Sequence, residues 1–190
     1  MMKKITLLAA ALLLSTMVFA QTKWVVNKAH ARVGFTVSHL AVSDVDGNFK
    51  KFDATLTASK PDFSDAVFEV SADVSSINTD NDNRDNDLKS DHFFDAAKFP
   101  TLTFVSKSIT KTGDKTFKLT GDLTIHGVTK SVTLDLAVTG TGKNMQNQKP
   151  IAGFKVTGTI DRNDFGVGHA PAAMIGDKVE IRAVGEFDQQ

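Results

Sequence analysis

Apolar and polar residues alternate with a period of two along most of the chain from Gln21 onward. In the clearest case, Val33, Phe35 and Val37 are separated by small or polar residues. The same alternation recurs over residues 68–74, 117–125, 132–138, 154–160 and 179–187. Each segment has one apolar and one polar face, as antiparallel strands do when a sheet is buried on one side. The pattern therefore predicts an all-β domain of about eight or nine strands.

Turn sequences separate the predicted strands, and no stretch has the 3.6-residue period of a long amphipathic helix. So many antiparallel strands can close into a barrel or form a two-sheet sandwich, and periodicity leaves both open. Residues 78–100 break the alternation, being first polar and then rich in Phe. We expect this segment to be a long connection with one or two short helical turns, and connections of this length are usually functional.

The first twenty residues have the pattern of a secretory signal peptide. Two lysines precede an apolar stretch over residues 5–14, and Ala20 provides a small residue for cleavage. The alternative is a membrane anchor, which so short a stretch disfavours. No later run approaches the roughly 18 uncharged apolar residues of a span. We therefore expect residues 21–190 to be a single exported, soluble domain in the periplasm.

Composition excludes several classes of function. The 22 Lys and Arg balance 22 Asp and Glu, whereas a nucleic-acid-binding protein normally has a basic surplus. The absence of cysteine excludes disulfides, thiolate metal sites and a cysteine nucleophile. The chain has 14 Phe, one Trp and no Tyr, so any pocket formed by its rings should be strongly apolar.

No motif for catalysis or metal binding stands out. The five histidines have no close spacing typical of a zinc site, and there is no Gly-x-Ser-x-Gly elbow. The acidic run from Asp80 fails the calcium-loop template at its fifth and sixth positions. We therefore expect no catalytic residue, no metal and no cofactor. Two alternatives stay open: a metal-assisted periplasmic hydrolase with converging His and Asp, and a structural protein with a solid core.

Short motifs follow one another along nearly the whole chain after the leader. They are Trp24, His30, Val33-x-Phe35-x-Val37-x-His39, Gly47-x-Phe49-x-x-Phe52, Ser76-Ile77-x-Thr79, Arg84-Asp85-x-x-Leu88-Lys89-Ser90-x-x-Phe93-Phe94-Asp95, Phe99-Pro100-x-x-x-Phe104-x-Ser106, Gly121-x-Leu123-Thr124-Ile125-x-Gly127-x-Thr129-Lys130 and Asp161-Arg162-x-Asp164-Phe165-Gly166. In this order they resemble the YceI-like family of periplasmic isoprenoid-binding proteins. Three positions depart from the family pattern: Ala31 stands for Ser, Asp87 for His and Lys89 for Arg.

The resemblance implies an extended, lipocalin-like antiparallel β-barrel of about eight strands that encloses an apolar tunnel. It implies a non-enzymatic carrier or storage protein for a polyprenyl or quinone lipid, with homodimers among the family's forms. We place the head-group contacts at His39, Arg84 and Asp85, although the last two can equally form a local salt bridge within the long connection.

The predicted tunnel lining consists of apolar-face residues. These are Phe35, Val37, Phe68, Val70, Phe104, Phe117, Leu119, Phe154 and Val156. Periodicity identifies the inward face but not the space behind it, so the same residues can also fill a solid core. Phe93, Phe94 and Phe99 are expected to fold the long connection over one barrel end, where they can gate entry.

Overall fold

The structure, a computed structural model, describes residues 21–190, and the predicted signal peptide lies outside them. Ten strands account for most of these residues, which confirms the all-β prediction. They are β1 (Thr22–His39), β2 (Ser43–Phe49), β3 (Phe52–Ala58), β4 (Val67–Asp73), β5 (Ile77–Asn78), β6 (Thr101–Lys111), β7 (Thr116–Ile125), β8 (Val128–Lys143), β9 (Pro150–Asp161) and β10 (Ile175–Gln189). One α-helix, α1 (Asp82–Lys89), and two 3₁₀ turns, Val74–Ser76 and Arg162–Phe165, complete the elements.

Eight of the strands close into an antiparallel barrel. Their order is β1-β3-β4-β6-β7-β8-β9-β10, and β10 pairs back onto β1. The closing pair runs from Trp24 opposite Gln189 to His39 opposite Ile175. The predicted lipocalin-like barrel is therefore confirmed, and the sandwich that periodicity left open is not formed.

The long strand β1 has a different neighbour on each half of its other side. Residues 22–25 pair with β3, whereas residues 33–39 pair with β2. β5 pairs with the end of β2 at Asn48 and Phe49. β2 thus extends the barrel wall at one end, and this extension forms part of the cavity described below.

The opposite end of the barrel is packed with aromatic rings, which we call the aromatic cluster. Its members are Trp24, Phe63, Phe68, Phe154 and Phe187. Their ring centroids lie between 5.0 and 6.2 Å apart in edge-to-face geometry, which stabilises by about 0.5–1.5 kcal/mol per pair beyond the area buried. All five side chains are buried, so these rings fill the barrel interior where they meet.

The long connection between β5 and β6, residues 79–100, forms what we call the cover. It contains α1, whose N-terminus is capped by the Asn81 side chain accepting from the Arg84 N–H at 3.0 Å. The helix ends at Lys89 and is capped by Ser90, and turns follow toward Pro100. This is the predicted connection with a short helical segment. Across residues 21–190, no helix is long and apolar enough to cross a membrane.

Candidate functional site

An apolar cavity lies at the barrel end away from the aromatic cluster. The volume accessible to the centre of a water molecule is about 130 Å³. The open space between the walls, including the mouth and the solvent in it, is about 810 Å³. Ligand pockets span about 300–1,000 Å³, so the smaller, accessible volume of this cavity lies below that range. The lining consists of Val33, Gly34, Phe35, Val37, Phe49, Leu88, Phe93, Phe94, Leu102, Ile125, Ile160, Arg162, Phe165, Val167, Ile175, Val179 and Ile181.

The register of β1 and β10 builds the main wall. Phe35 lies opposite Ile181, and Val37 lies opposite Val179. Directly opposite residues in an antiparallel pair project from the same face of the sheet. The apolar faces that were predicted separately in the two strands therefore combine into one continuous wall.

Two ring contacts join this wall to the cover. The centroids of Phe35 and Phe49 are 6.1 Å apart, and those of Phe49 and Phe94 are 6.3 Å apart. The Phe35 ring also lies over Gly47 of β2, where any Cβ would collide with it. A residue without a side chain is therefore required at position 47 for the Phe35 ring to lie as it does.

The cover places Leu88, Phe93 and Phe94 against the cavity. The Phe94 N–H donates to the Leu88 carbonyl at 3.0 Å, which turns the chain back toward the barrel after α1. Phe99 does not line the cavity and instead packs on His126, with ring centroids 4.5 Å apart. The first two of the three predicted gating rings thus lie at the cavity, and the third anchors the end of the cover.

Among residues 21–190, Arg162 is the only charged residue that lines the cavity. It is 5% exposed, and its guanidinium donates to the backbone carbonyls of Val167, Gly168, Ala170, Ile175 and Gly176 and to the Asp177 carboxylate, at 2.6–3.2 Å. All three of its nitrogens are therefore engaged within the protein. The cavity consequently offers a ligand mainly hydrocarbon surface.

The predicted head-group residues lie outside the cavity lining. Asp85 is buried and accepts from the Thr79 N–H at 2.8 Å and from the Thr79 hydroxyl at 2.6 Å. Arg84 donates to the Thr79 hydroxyl and carbonyl, both at 2.8 Å. These contacts hold α1 to Thr79, the first residue of the cover, and they do so without a salt bridge between Arg84 and Asp85. His39 lies exposed at the end of β1.

An ion pair lies on the outer surface of the cover. The Nδ1 atom of His92 is 2.9 Å from a carboxylate oxygen of Asp87. The hydrogen bond that the His92 ring donates to this carboxylate, together with the carboxylate's charge, raises the pKa of His92 above the ordinary 6.5. Because His92 directly precedes Phe93, the pair joins the end of α1 to the part of the cover that lines the cavity.

The structure separates the nine predicted lining residues into groups. Phe35 and Val37 line the cavity, whereas Phe68 and Phe154 belong to the aromatic cluster. Phe104, Phe117 and Leu119 are buried in the packed part of the core, and Val70 and Val156 are half-buried against it. Residues that the prediction did not name, Ile160, Val179 and Ile181, carry the same apolar-face signal and do line the cavity. Among residues 21–190, no three His, Asp or Glu side chains come together as a metal-ligand set.

Comparison with known proteins identifies the family. The YceI-like domain model matches residues 24–187. This chain belongs to the YceI-like family. The resemblance drawn from its motifs is thereby confirmed, and the cavity described above is a feature of a YceI-like barrel.

Relatives of this YceI-like protein come from several bacteria. It is 38% identical to the UPF0312 protein SAB2563 of Staphylococcus aureus (strain bovine RF122 / ET3-1) over 87% of this chain and 97% of that protein. The crystal structure of the Campylobacter jejuni YCEI protein is 34% identical and superposes with a TM-score of 0.74, covering 80% of this chain and 90% of that one. A polyisoprenoid binding domain from Saccharophagus degradans, at 16% identity, shares the fold with a TM-score of 0.63 over 88% of this chain and 98% of that domain.

Proposed function

We propose that this protein binds a long-chain isoprenoid lipid, of the polyprenyl or quinone type, in the apolar cavity and acts as an exported carrier or storage protein. The observation that carries the proposal is the lining: sixteen of its seventeen residues are apolar or glycine, and the remaining one is Arg162, whose guanidinium is fully bonded within the protein. Such a wall suits hydrocarbon and offers little to a charged or hydrogen-bonding substrate. A non-enzymatic role follows from the same lining.

The ligand class rests on the fold and on the energetics of hydrocarbon burial. The domain from Saccharophagus degradans that shares this fold is a polyisoprenoid binding domain. Burial of hydrocarbon stabilises by about 0.8 kcal/mol per CH₂, so fifteen carbons of an isoprenoid tail contribute about 12 kcal/mol. Association costs about 4–15 kcal/mol, so the tail must fill the cavity well for stable binding.

Within this proposal, the isoprenoid tail contacts the wall formed by β1 and β10, at Phe35, Val37, Val179 and Ile181. Phe93 and Phe94 close over it from the cover. The head group then lies toward the mouth, near the exposed end of β1 where His39 is placed. Location outside the inner membrane rests on the predicted signal peptide, and homodimer formation rests on the family resemblance.

The test is organic extraction of the purified protein followed by mass spectrometry. We expect a polyprenyl or quinone species approaching one molecule per chain. Empty extracts, together with no uptake of a supplied prenylated quinone, would refute the proposal.

A matched pair of variants locates the site. Val179→Trp places a large ring in the cavity and should lower the bound lipid per chain at least tenfold, because the ring takes up the space needed by the tail. Val105→Trp is the control, because Val105 is 45% exposed on β6 and does not line the cavity. Equal lipid retention by the two folded variants would contradict the assignment of the cavity as the site.

A further inference from the structure

Three large apolar side chains are exposed together near one end of the cavity wall. Leu40 is 51% exposed, Val42 is 85% exposed and Met174 is 53% exposed. The Leu40 N–H donates to the Met174 carbonyl at 2.9 Å, so the β1–β2 turn and the loop before β10 are bonded to each other. We call this surface, residues 40–42 and 171–174, the apolar rim.

The apolar rim is continuous with the lining of the cavity. Val37 lines the cavity three residues before Leu40, and Ile175 lines it directly after Met174. The half-buried members of the lining belong mainly to β1, β10 and the cover, so solvent reaches the cavity between these three elements. A hydrocarbon chain leaving the cavity here would next meet the apolar rim.

The apolar rim is also held in a fixed shape. Leu40 and Ala41 have φ values of 54° and 52°, in the left-handed region that favours glycine and asparagine over Leu and Ala. The Val42 N–H donates to the His39 carbonyl at 3.1 Å and closes this tight turn. On the other loop, Arg162 donates to the carbonyls of Ala170 and Ile175 at 2.6 and 3.2 Å. Strained backbone carrying exposed apolar residues points to a function for the turn.

Size and charge favour a bilayer over another protein as the partner. Residues 38–43 and 168–176 contain no Asp, Glu, Lys or Arg, so the apolar rim can enter the boundary between head groups and acyl chains without desolvating a charge. Its seven residues are far fewer than the roughly 20–30 per side of a standard protein interface. Exposed apolar patches of this kind mark protein or membrane contacts, and this one is too small for a stable dimer.

We propose that the apolar rim docks on the surface of a lipid bilayer, so that an isoprenoid tail passes between bilayer and cavity without crossing water. The passage of a tail rests on the proposed function, but the attachment to the bilayer does not. Attachment is transient, because even a myristoyl chain gives an association constant of only about 10⁴ M⁻¹ and three side chains bury less hydrocarbon. A transient contact suits a carrier that must leave after loading.

The test is flotation of the purified protein with vesicles of phosphatidylcholine and phosphatidylethanolamine at millimolar lipid. We expect Val42→Asp and Met174→Asp each to lower the fraction bound to vesicles at least tenfold. Met145→Asp is the matched control, because Met145 is 92% exposed in the turn between β8 and β9, outside the apolar rim, and this variant should bind as the original protein does. All three substitutions are at exposed side chains, so each variant should fold, which thermal unfolding checks.

Two outcomes would overturn the proposal. One is the absence of vesicle binding, or binding that Val42→Asp and Met174→Asp leave unchanged. The other is a change from dimer to monomer in Val42→Asp by sedimentation, which would assign the apolar rim to a second copy of this chain. The vesicles contain no isoprenoid, so vesicle binding by a protein whose extracts are empty would refute the proposed function alone.

Discussion

Arg162 holds in place the part of the cavity wall that contains Val167 and Ile175, and its replacement gives a quantitative test of that role. Its guanidinium donates hydrogen bonds to five backbone carbonyls and one carboxylate of residues 167–177. Val167 and Ile175 of this segment line the cavity. Arg162→Met keeps most of the side-chain volume but removes every one of these hydrogen bonds.

The expected loss can be estimated from burial. Arg162 is 5% exposed, and its ion-pair partner Asp177 has a side chain that is 36% exposed. Removing one partner of a buried pair costs about 3–5 kcal/mol, and a single hydrogen bond to a charged group contributes about 1.5–3 kcal/mol. Because some of the released carbonyls can reach water, we expect a decrease of about 3–5 kcal/mol in the free energy of unfolding. For a domain of this size, that corresponds to a fall in Tm of roughly 10 °C.

The assay is urea unfolding followed by fluorescence of Trp24, the only tryptophan and a buried one. Arg182→Met is the control, because Arg182 lies exposed on β10 and such surface changes stay within about 0.5 kcal/mol. Arg162→Met should also retain less isoprenoid, since Val167 and Ile175 lose their support. A loss below about 1 kcal/mol, or equal effects of the two substitutions, would refute the role given to Arg162.

Three further predictions concern parts of the molecule away from Arg162. Phe154→Ala should cost about 3–5 kcal/mol of unfolding free energy, measured by urea unfolding, while isoprenoid uptake stays unchanged because Phe154 belongs to the aromatic cluster. The raised pKa of His92 means that its pair with Asp87 stabilises the fold fully below about pH 6.5, and that this stabilisation is lost as pH rises through the folded-state pKa. Asp87→Asn should lower the pKa of His92 in NMR titration. An unchanged pKa would contradict the pairing. The hydrogen bond from Lys111 lowers the pKa of Asp62 from 3.8 to about 2, so its stabilising effect is present above pH 3.8 and is lost as pH falls toward 2. Lys111→Met should raise the pKa of Asp62 in carboxyl-carbon NMR titration, and no change would exclude this bond.

The strands could be predicted because alternation is a local property of the sequence. Val33, Phe35 and Val37 identify an inward face of β1 without knowledge of any other strand. Closure is not local, because it requires the end of the chain at Gln189 to pair with Trp24 near the start. Periodicity therefore left barrel and sandwich open, and only the family motifs favoured the barrel.

The site was harder to predict because alternation gives the face of a residue but not its depth in the barrel. Phe35 and Phe154 carry the same signal, yet one lines the cavity and the other lies in the aromatic cluster. The position of a residue along the barrel axis depends on the register between neighbouring strands. This register places Phe35 opposite Ile181 and Phe154 opposite Gly185. Arg162 is charged, so the alternation of apolar residues did not indicate that it lines the cavity. The carbonyls that accept its hydrogen bonds lie up to 14 residues later in the chain.

The packed and hollow ends of the barrel are formed by the same strands. β9 contributes Phe154 to the aromatic cluster and Ile160 to the cavity, while β10 contributes Phe187 and Ile181 in the same way. Six residues of strand span about 20 Å, so the two ends are too far apart to share contacts. Because substitutions more than about 7–10 Å apart are usually independent, the rings at one end can stabilise the fold while the residues at the other end keep a cavity open. A chain without disulfides can therefore leave part of its core unfilled, because tight packing is concentrated where no ligand has to enter.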